Sequence, residues 1–163
     1  MSAGPSYSEE SVLRTAVPAD VPGIIDLINR AFAVEKFFKS GERIDAVGLT
    51  EMMQHGEFLL LESAGALIAC IYVKITGERA YAGTLAVDPS QQKSGIGRRM
   101  MCEAEEYARV HGCDVLDIRI VNVRPELSEI YTKLGFVPTG IESAEVIKTA
   151  TQPVHFITMA KPL

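Results

Sequence analysis

Ile24, Ile25, Leu27, Ile28, Ala31 and Phe32 recur at three- and four-residue spacing, which predicts an amphipathic helix from about Asp20 to Phe37. Before it, Val12 to Val17 is a short β-prone segment closed by Pro18. A second, shorter helical pattern covers Ala46 to Gln54, weakened by Gly48. The pattern then changes. Phe58 to Leu61 and Ala66 to Ile75 read as two strands joined by a tight turn at Ser63-Ala64-Gly65. A turn at Thr76-Gly77-Glu78 leads into a third strand, Ala80 to Val87, so the three runs make an antiparallel meander. Pro89 breaks it. Gly95 to His111 reads as a helix with Gly112 as its stop, and Val115 to Val121 is the next strand. Pro125 suits the first position of a helix running to Leu134 and closed by Gly135. Phe136 to Thr139 and Val154 to Met159 are the last strands.

This order, β-α-α-β-β-β-α-β-α-β-β, predicts an α/β fold: a mixed, mostly antiparallel sheet of six to seven strands with helices on both faces. A length of 163 residues with neither repeats nor a low-complexity linker favours one domain across 1–163, with Met1 to Glu10 expected to be a flexible N-terminus. A composition of 47% hydrophobic and 23% charged residues is that of a soluble globular chain. The net charge of -5 speaks against a general nucleic-acid binder, which needs many phosphate contacts. Cys70, Cys102 and Cys113 form no Cys-x-x-Cys pair, and their odd number suits a reducing cytosol better than a disulfide framework. His55, His111 and His155 lie too far apart to suggest a structural zinc site. The N-terminus has no basic stretch followed by an apolar one, and no apolar run approaches the ~20 residues that cross a bilayer. A cytoplasmic location is expected.

The most informative stretch runs from Leu85 to Met101. A strand ends at Val87, a loop crosses Asp88 to Ser94, and a helix opens at Gly95-Ile96-Gly97. The first N–H groups of a helix have no partner within it, and the peptide dipoles leave that end partly positive. Glycines there let a phosphate approach the backbone. Arg98 and Arg99 sit in the first turn and Glu103, Glu105 and Glu106 later, the reverse of what the helix dipole prefers. An anion at the N-terminus would explain that order; a pairing of Arg99 with Glu103 and a solvated Arg98 is the plainer alternative. Two other phosphate loops fail. Gly97 is followed by Arg98-Arg99, not by the Lys-Ser/Thr of a P-loop. The dinucleotide fingerprint meets Met100 at its third glycine, despite Asp117 about twenty residues on.

The second stretch is Asn122 to Phe136. Leu127, Ile130 and Leu134 share one helix face, and Tyr131 lies beside that stripe, where its hydroxyl can face a cleft or its ring simply edge the core. Gln92-x-x-Gly95-x-Gly97 followed by Tyr131-x-x-x-Gly135-Phe136 resembles the GCN5-related N-acetyltransferase superfamily, over most of the chain from about Val12 to Leu163. Many members carry Asn seven residues before the tyrosine; here Arg124 stands there, with Asn122 two positions earlier.

The resemblance implies the acyl-CoA N-acyltransferase fold and transfer of acetyl from acetyl-CoA to a primary amine. It implies a coenzyme A site at Leu85, Ala86 and Val87, at Gln92, Lys93, Ser94, Gly95, Ile96, Gly97 and Arg98, and at Asn122, Arg124 and Tyr131. The Leu85–Val87 strand would pair with the pantetheine amides, and a backbone N–H near Val87 would polarise the thioester carbonyl. Tyr131 would be the general acid, since a phenol near ~10 can protonate a thiolate whose acid lies near ~8.5. Glu35 is a candidate base or substrate contact; His155 and Tyr81 are other candidate bases, and a solvated or packed role is open for all three. Lys36, Lys39, Arg43 and Arg124 hint at an anionic group on the acceptor, which is otherwise open between a small amine, an amino-acid derivative and a protein N-terminus. A non-catalytic acyl-CoA sensor on the same fold is the second reading, disfavoured by the retained Tyr131 and glycines. The apolar last strand, Val154 to Met159, offers a homodimer edge or completes the sheet.

Overall fold

The structure is a computed structural model and describes residues 11–145 and 147–163; the flexible N-terminus expected for Met1 to Glu10 lies outside the described residues. Its elements in chain order are β1 (Ser11–Thr15), α1 (Val21–Ala31), α2 (Ala46–His55), β2 (Glu57–Ser63), β3 (Ala66–Thr76), β4 (Arg79–Val87), α3 (Ile96–Val110), β5 (Val115–Val121), α4 (Pro125–Lys133), β6 (Val137–Ser143) and β7 (His155–Pro162). The seven strands form one sheet in the order β1-β2-β3-β4-β5-β7-β6. Among the described strands only β4 and β5 run parallel. The mixed, mostly antiparallel sheet expected from the pattern is present.

Strand alternation sends the central strands' side chains into two cores. Leu59, Leu61, Ile71 and Val73 pack with Ile96, Met100, Met101, Ala104 and Ala108 of α3, and Leu127, Tyr131 and Leu134 around α4 join that cluster. Phe58, Leu60, Cys70 and Tyr72 face the other way, against Ile24, Leu27 and Ile28 of α1 and Leu49 of α2. Helices therefore cover both faces, and strands buried on both sides need apolar residues at nearly every position.

Three expectations are revised. The single helix over Asp20–Phe37 ends at Ala31 and continues as a tighter 3-10 turn, Phe32–Phe37. The cause is tertiary: the chain turns Glu35 and Phe38 inward, leaving Glu35 4% exposed and Phe38 fully buried. The last apolar strand is no dimer edge, because β7 lies between β5 and β6 and its hydrogen-bonding edges are both used. Finally, β6 extends past Thr139 to Ser143.

Both glycine-closed helices end alike. Gly112 and Gly135 have φ of 83° and 99°, which the absence of a Cβ permits. Cys113 N–H bonds the Ala108 carbonyl at 2.9 Å and Gly112 N–H the Arg109 carbonyl at 3.0 Å. Phe136 N–H bonds the Tyr131 carbonyl at 3.0 Å and Gly135 N–H the Thr132 carbonyl at 3.1 Å. These paired bonds make a Schellman motif in each case.

Candidate active site

β4 and β5 pair only at Arg79–Val115, Ala80–Leu116 and Tyr81–Asp117. Beyond that point β4 pairs only with β3, and β5 only with β7, so the two strands splay into a V. The divergence coincides with a bulge in β4: the β3 register shifts between Cys70 and Tyr72, and Thr84 opposite adopts φ 49°. A bulge bends its strand and increases its twist, which turns β4 away from its parallel neighbour. The resulting cleft has a volume of about 1820 Å³ and takes in both arms of the V, the N-terminus of α3 and one side of α4.

One arm is an open sheet edge. Asp88 N–H bonds Ile68 on the β3 side at 2.8 Å, so by strand alternation the backbone groups of Val87 and Leu85 turn the other way, into the V. The Val87 carbonyl accepts Gln92 Nε2 at 3.2 Å there. Ala86 instead turns to β3 and packs in the α1–α2 core, so of the three residues expected to meet a cofactor, Leu85 and Val87 line the cleft and Ala86 does not.

Beside the open end of the β4 arm, next to Leu85 and Val87, α3 starts with Gly95 at φ 86° and with no side-chain cap. The first intrahelical bond is Arg99 N–H to Gly95 O, 3.0 Å, so the N–H groups of Ile96, Gly97 and Arg98 have no partner within the helix. By contrast, Asp45 caps α2 by accepting Gly48 N–H at 2.8 Å. The preceding loop is braced internally. Asp88 accepts Ser90 N–H and Oγ at 2.9 and 2.7 Å, and Ser94 Oγ donates to the Gln91 carbonyl. Lys93 takes φ 64°, so positive-φ residues at 93 and 95 flank Ser94 and curl the backbone into a concave turn of the kind that binds anions. A Cβ on Gly97 would meet protein atoms only at 3.9 Å, from Leu85 and Val87. The fold therefore does not require glycine here, whereas a ligand lying on the helix end would. Gln92, Lys93, Ile96, Gly97 and Arg98 line the cleft; Ser94 and Gly95 shape it from behind. Of the two arginines, Arg98 faces the cleft, while Arg99 Nη1 reaches Ser11 Oγ at 2.9 Å on β1. Neither alternative for that pair holds for both members.

Tyr131 comes from α4, held by the Schellman turn beneath it. Its ring stacks edge-on against Phe136, centroids 5.8 Å apart, and its hydroxyl has no protein partner among the described residues. Desolvation pushes the phenol above its usual value near ~10, partly opposed by the nearby Arg124 guanidinium. The Tyr-x-x-x-Gly-Phe spacing thus has a physical basis: Gly135 lets the chain reverse so that Phe136 packs on the tyrosine three residues inside the helix end.

Asn122 is placed differently from expectation. Its Oδ1 accepts His155 N–H at 2.8 Å and its own N–H bonds the His155 carbonyl at 3.0 Å, closing the β5–β7 ladder outside the cleft. Arg124 lines the cleft instead. Its guanidinium is held by Glu35 Oε2 at 3.0 Å and Glu126 Oε2 at 3.2 Å. Glu35 is the centre of a buried ion cluster, with Lys39 Nζ at 3.2 Å and Arg43 Nη1 at 2.9 Å from its Oε1. Desolvation and the adjacent Arg43 hold the Lys39 ammonium below its usual value, against the pull of Glu35. Lys36 points away, to Glu42 at 3.5 Å. Of the candidate bases, Tyr81 lines the cleft and His155 does not. The Tyr81 ring lies over Gly83, where a Cβ would come within 2.7 Å of its hydroxyl. Sequence reasoning missed Arg119, whose guanidinium stacks on Phe156 in the cleft, and the Thr84 bulge. A glycine within a strand, Gly83, was the available hint of the latter.

Among the described residues no helix is long and apolar enough to cross a membrane. Residues 54–138 match the family model for the acetyltransferase (GNAT) domain, and the chain belongs to that family. Streptothricin acetyltransferase of Streptomyces lavendulae is 29% identical over 94 residues, 58% of this chain but only half of that protein's length. Glucosamine 6-phosphate N-acetyltransferase 1 of Oryza sativa subsp. japonica is 27% identical over 129 residues, 74% of this chain and 76% of that one. In fold, the ribosomal-protein-S18-alanine N-acetyltransferase of Escherichia coli superposes with TM-score 0.77 over 93% of both chains at 18% identity. A GNAT family acetyltransferase from Elizabethkingia anophelis, solved with acetyl-CoA bound, gives 0.75 over 96% of this chain and 100% of its own, also at 18% identity.

Proposed function

We propose that residues 11–163 work as one N-acetyltransferase domain that binds acetyl-CoA in the V and delivers its acetyl group to a primary amine. The observation that carries this is the splayed β4–β5 pair opening onto an uncapped, glycine-fronted helix terminus. Such a cleft offers strand-edge amides to a peptide-like arm and a positive helix end, with Lys93 and Arg98, to a pyrophosphate. Acetyl-CoA, when bound, supplies the acetyl group as an activated thioester.

The chain's own groups divide the remaining work. Backbone N–H groups on the open edge at Leu85 and Val87 are the donors that stabilise negative charge developing on a carbonyl oxygen. Tyr131 Oη holds the proton needed by a departing thiolate, and its desolvated setting keeps it protonated. Glu35 acts as an organiser on the acceptor side, because both its oxygens already accept from cations. Tyr81 is the remaining candidate to orient the incoming amine. The acceptor is a small-molecule or peptide amine, and free Cys70, Cys102 and Cys113 support a cytoplasmic location.

The test is thermal unfolding with acetyl-CoA, coenzyme A and NAD, followed by thiol release against an amine library. Acetyl-CoA and coenzyme A should raise the Tm while NAD leaves it unchanged, and at least one amine should release free thiol only with enzyme present. A Tm indifferent to both coenzyme A forms would remove the cofactor assignment.

A further inference from the structure

Building on the N-acetyltransferase reading, we propose that the acceptor amine carries a carboxylate or phosphate and that Arg119 is the residue that recognises it. Arg119 is exposed on β5, two residues beyond the last β4–β5 pair, where the V has begun to open. Its guanidinium carbon lies 4.2 Å from the Phe156 ring centroid and 6.0 Å from that of Tyr81. Stacking on an aromatic face presents the planar edge of a guanidinium, with its fork of donors, to an oxyanion.

What distinguishes Arg119 is the lack of a charged partner among the described residues. Among the described residues no carboxylate lies within 4.0 Å of it. Asp117, two positions away, is taken by a bidentate pair with Arg79 at 2.6 and 2.8 Å. Glu142, opposite Phe156 in the ladder, makes no ion pair with it. A cation that is oriented but not neutralised within a cleft is what an anionic ligand group requires.

A second, independent observation has the same sign. Phe156 packs with Phe38 and Val121, and Lys39 of the Glu35 cluster sits with its ammonium 6.0 Å from the Phe38 ring centroid. There Lys39, Arg43 and Arg124 meet only two carboxylates, the buried Glu35 and the outer Glu126 on Arg124, so positive charge is left in excess. Among the described residues, Lys and Arg outnumber Asp and Glu in the lining of the cleft although the whole chain carries -5. The excess cannot all belong to the cofactor's phosphates, since those meet Lys93 and Arg98 at the far end, at the start of α3.

The experiment uses the full chain saturated with coenzyme A, so that its own phosphate sites are filled. Inorganic phosphate and succinate are titrated separately, at constant ionic strength held with chloride, for wild type, Arg119→Ala and Arg119→Lys. At ten times its Kd, the recognised anion should raise the wild-type Tm by about 3 °C. Arg119→Ala should abolish that rise and Arg119→Lys reduce it, with the Kd for coenzyme A unchanged in both. The arm that responds identifies phosphate or carboxylate as the group. In parallel, thiol release is compared for matched amines with and without that group. Wild type should favour the anionic member at least tenfold in kcat/KM, and Arg119→Ala should bring the ratio near one. No anion-dependent shift in the coenzyme A complex, or a shift or preference that survives Arg119→Ala, would overturn the inference. Failure of coenzyme A itself to bind would instead overturn the acetyltransferase reading.

Discussion

Tyr131 and Glu35 show how differently two polar residues of one cleft are treated. Among the described residues the tyrosine hydroxyl has no protein partner, and desolvation raises its titration. Because a general acid must be protonated, activity that depends on it persists at neutral and mildly basic pH and is lost as pH rises through that raised value, above ~10. Tyr131→Phe should lower kcat by about 10²–10⁴-fold and remove that basic limb, with little change in acetyl-CoA affinity; steady-state kinetics over pH and calorimetric binding check both. Glu35, by contrast, is saturated by Lys39, Arg43 and Arg124. Glu35→Gln leaves those cations facing each other in a mostly buried setting, at a cost of about 3–5 kcal/mol. Chemical denaturation should register that loss. An unchanged midpoint with kcat abolished would restore Glu35 as a base.

Two glycines at the scale of elements make opposite predictions. Gly97 lies in the first turn of α3 with room for a Cβ, so Gly97→Ala should leave the Tm unchanged or raise it slightly, since alanine favours a helix by about 0.5–1 kcal/mol. The same methyl group stands where a phosphate would lie against the backbone, so the Kd for acetyl-CoA should rise about tenfold or more. Binding that is unaffected would mean that the ligand does not contact this helix end. Gly56 ends α2, and its Cβ would fall 2.6 Å from the Val73 carbonyl oxygen and 2.7 Å from Tyr72. A backbone oxygen cannot move aside as a flexible side chain can. Gly56→Ala should therefore cost about 3 kcal/mol by overpacking, measured by denaturation, while ligand affinity at constant folded fraction stays the same.

As a whole the molecule is two packed half-sheets joined at a narrow seam. β1 to β4 form one half and β5, β7 and β6 the other, with three residue pairs between β4 and β5. A ligand seated in the V touches both halves, so binding should raise amide protection in β4 from 82 to 87 and in β5 from 118 to 121 together. Hydrogen exchange with and without acetyl-CoA measures this; protection gained on one arm alone would mean a ligand that does not bridge. Lys161 on β7 ties the halves from outside the cleft, with its ammonium 3.0 and 3.1 Å from the carboxylate of Glu105 on α3.

What could be read without a structure was local in the chain. The α3 glycines, the Gly112 and Gly135 stops, Pro125 at the start of α4 and the period-two and period-3.6 patterns all act through neighbours a few residues apart, and they determined the element order and the uncapped helix end that borders the cleft. The splay of β4 from β5 depends on a one-residue register shift against β3, which no local pattern encodes. Glu35 meets Arg124 across 89 positions, and Asn122 spends its side chain on His155 across 33. Arg119 has its meaning only from Phe156, brought beside it by the antiparallel β5–β7 register. The backbone proposed to grip the cofactor follows from nearest-neighbour geometry. The charges proposed to choose an acceptor arise from side chains distant in sequence, and only tertiary packing decides which of them remain unpaired.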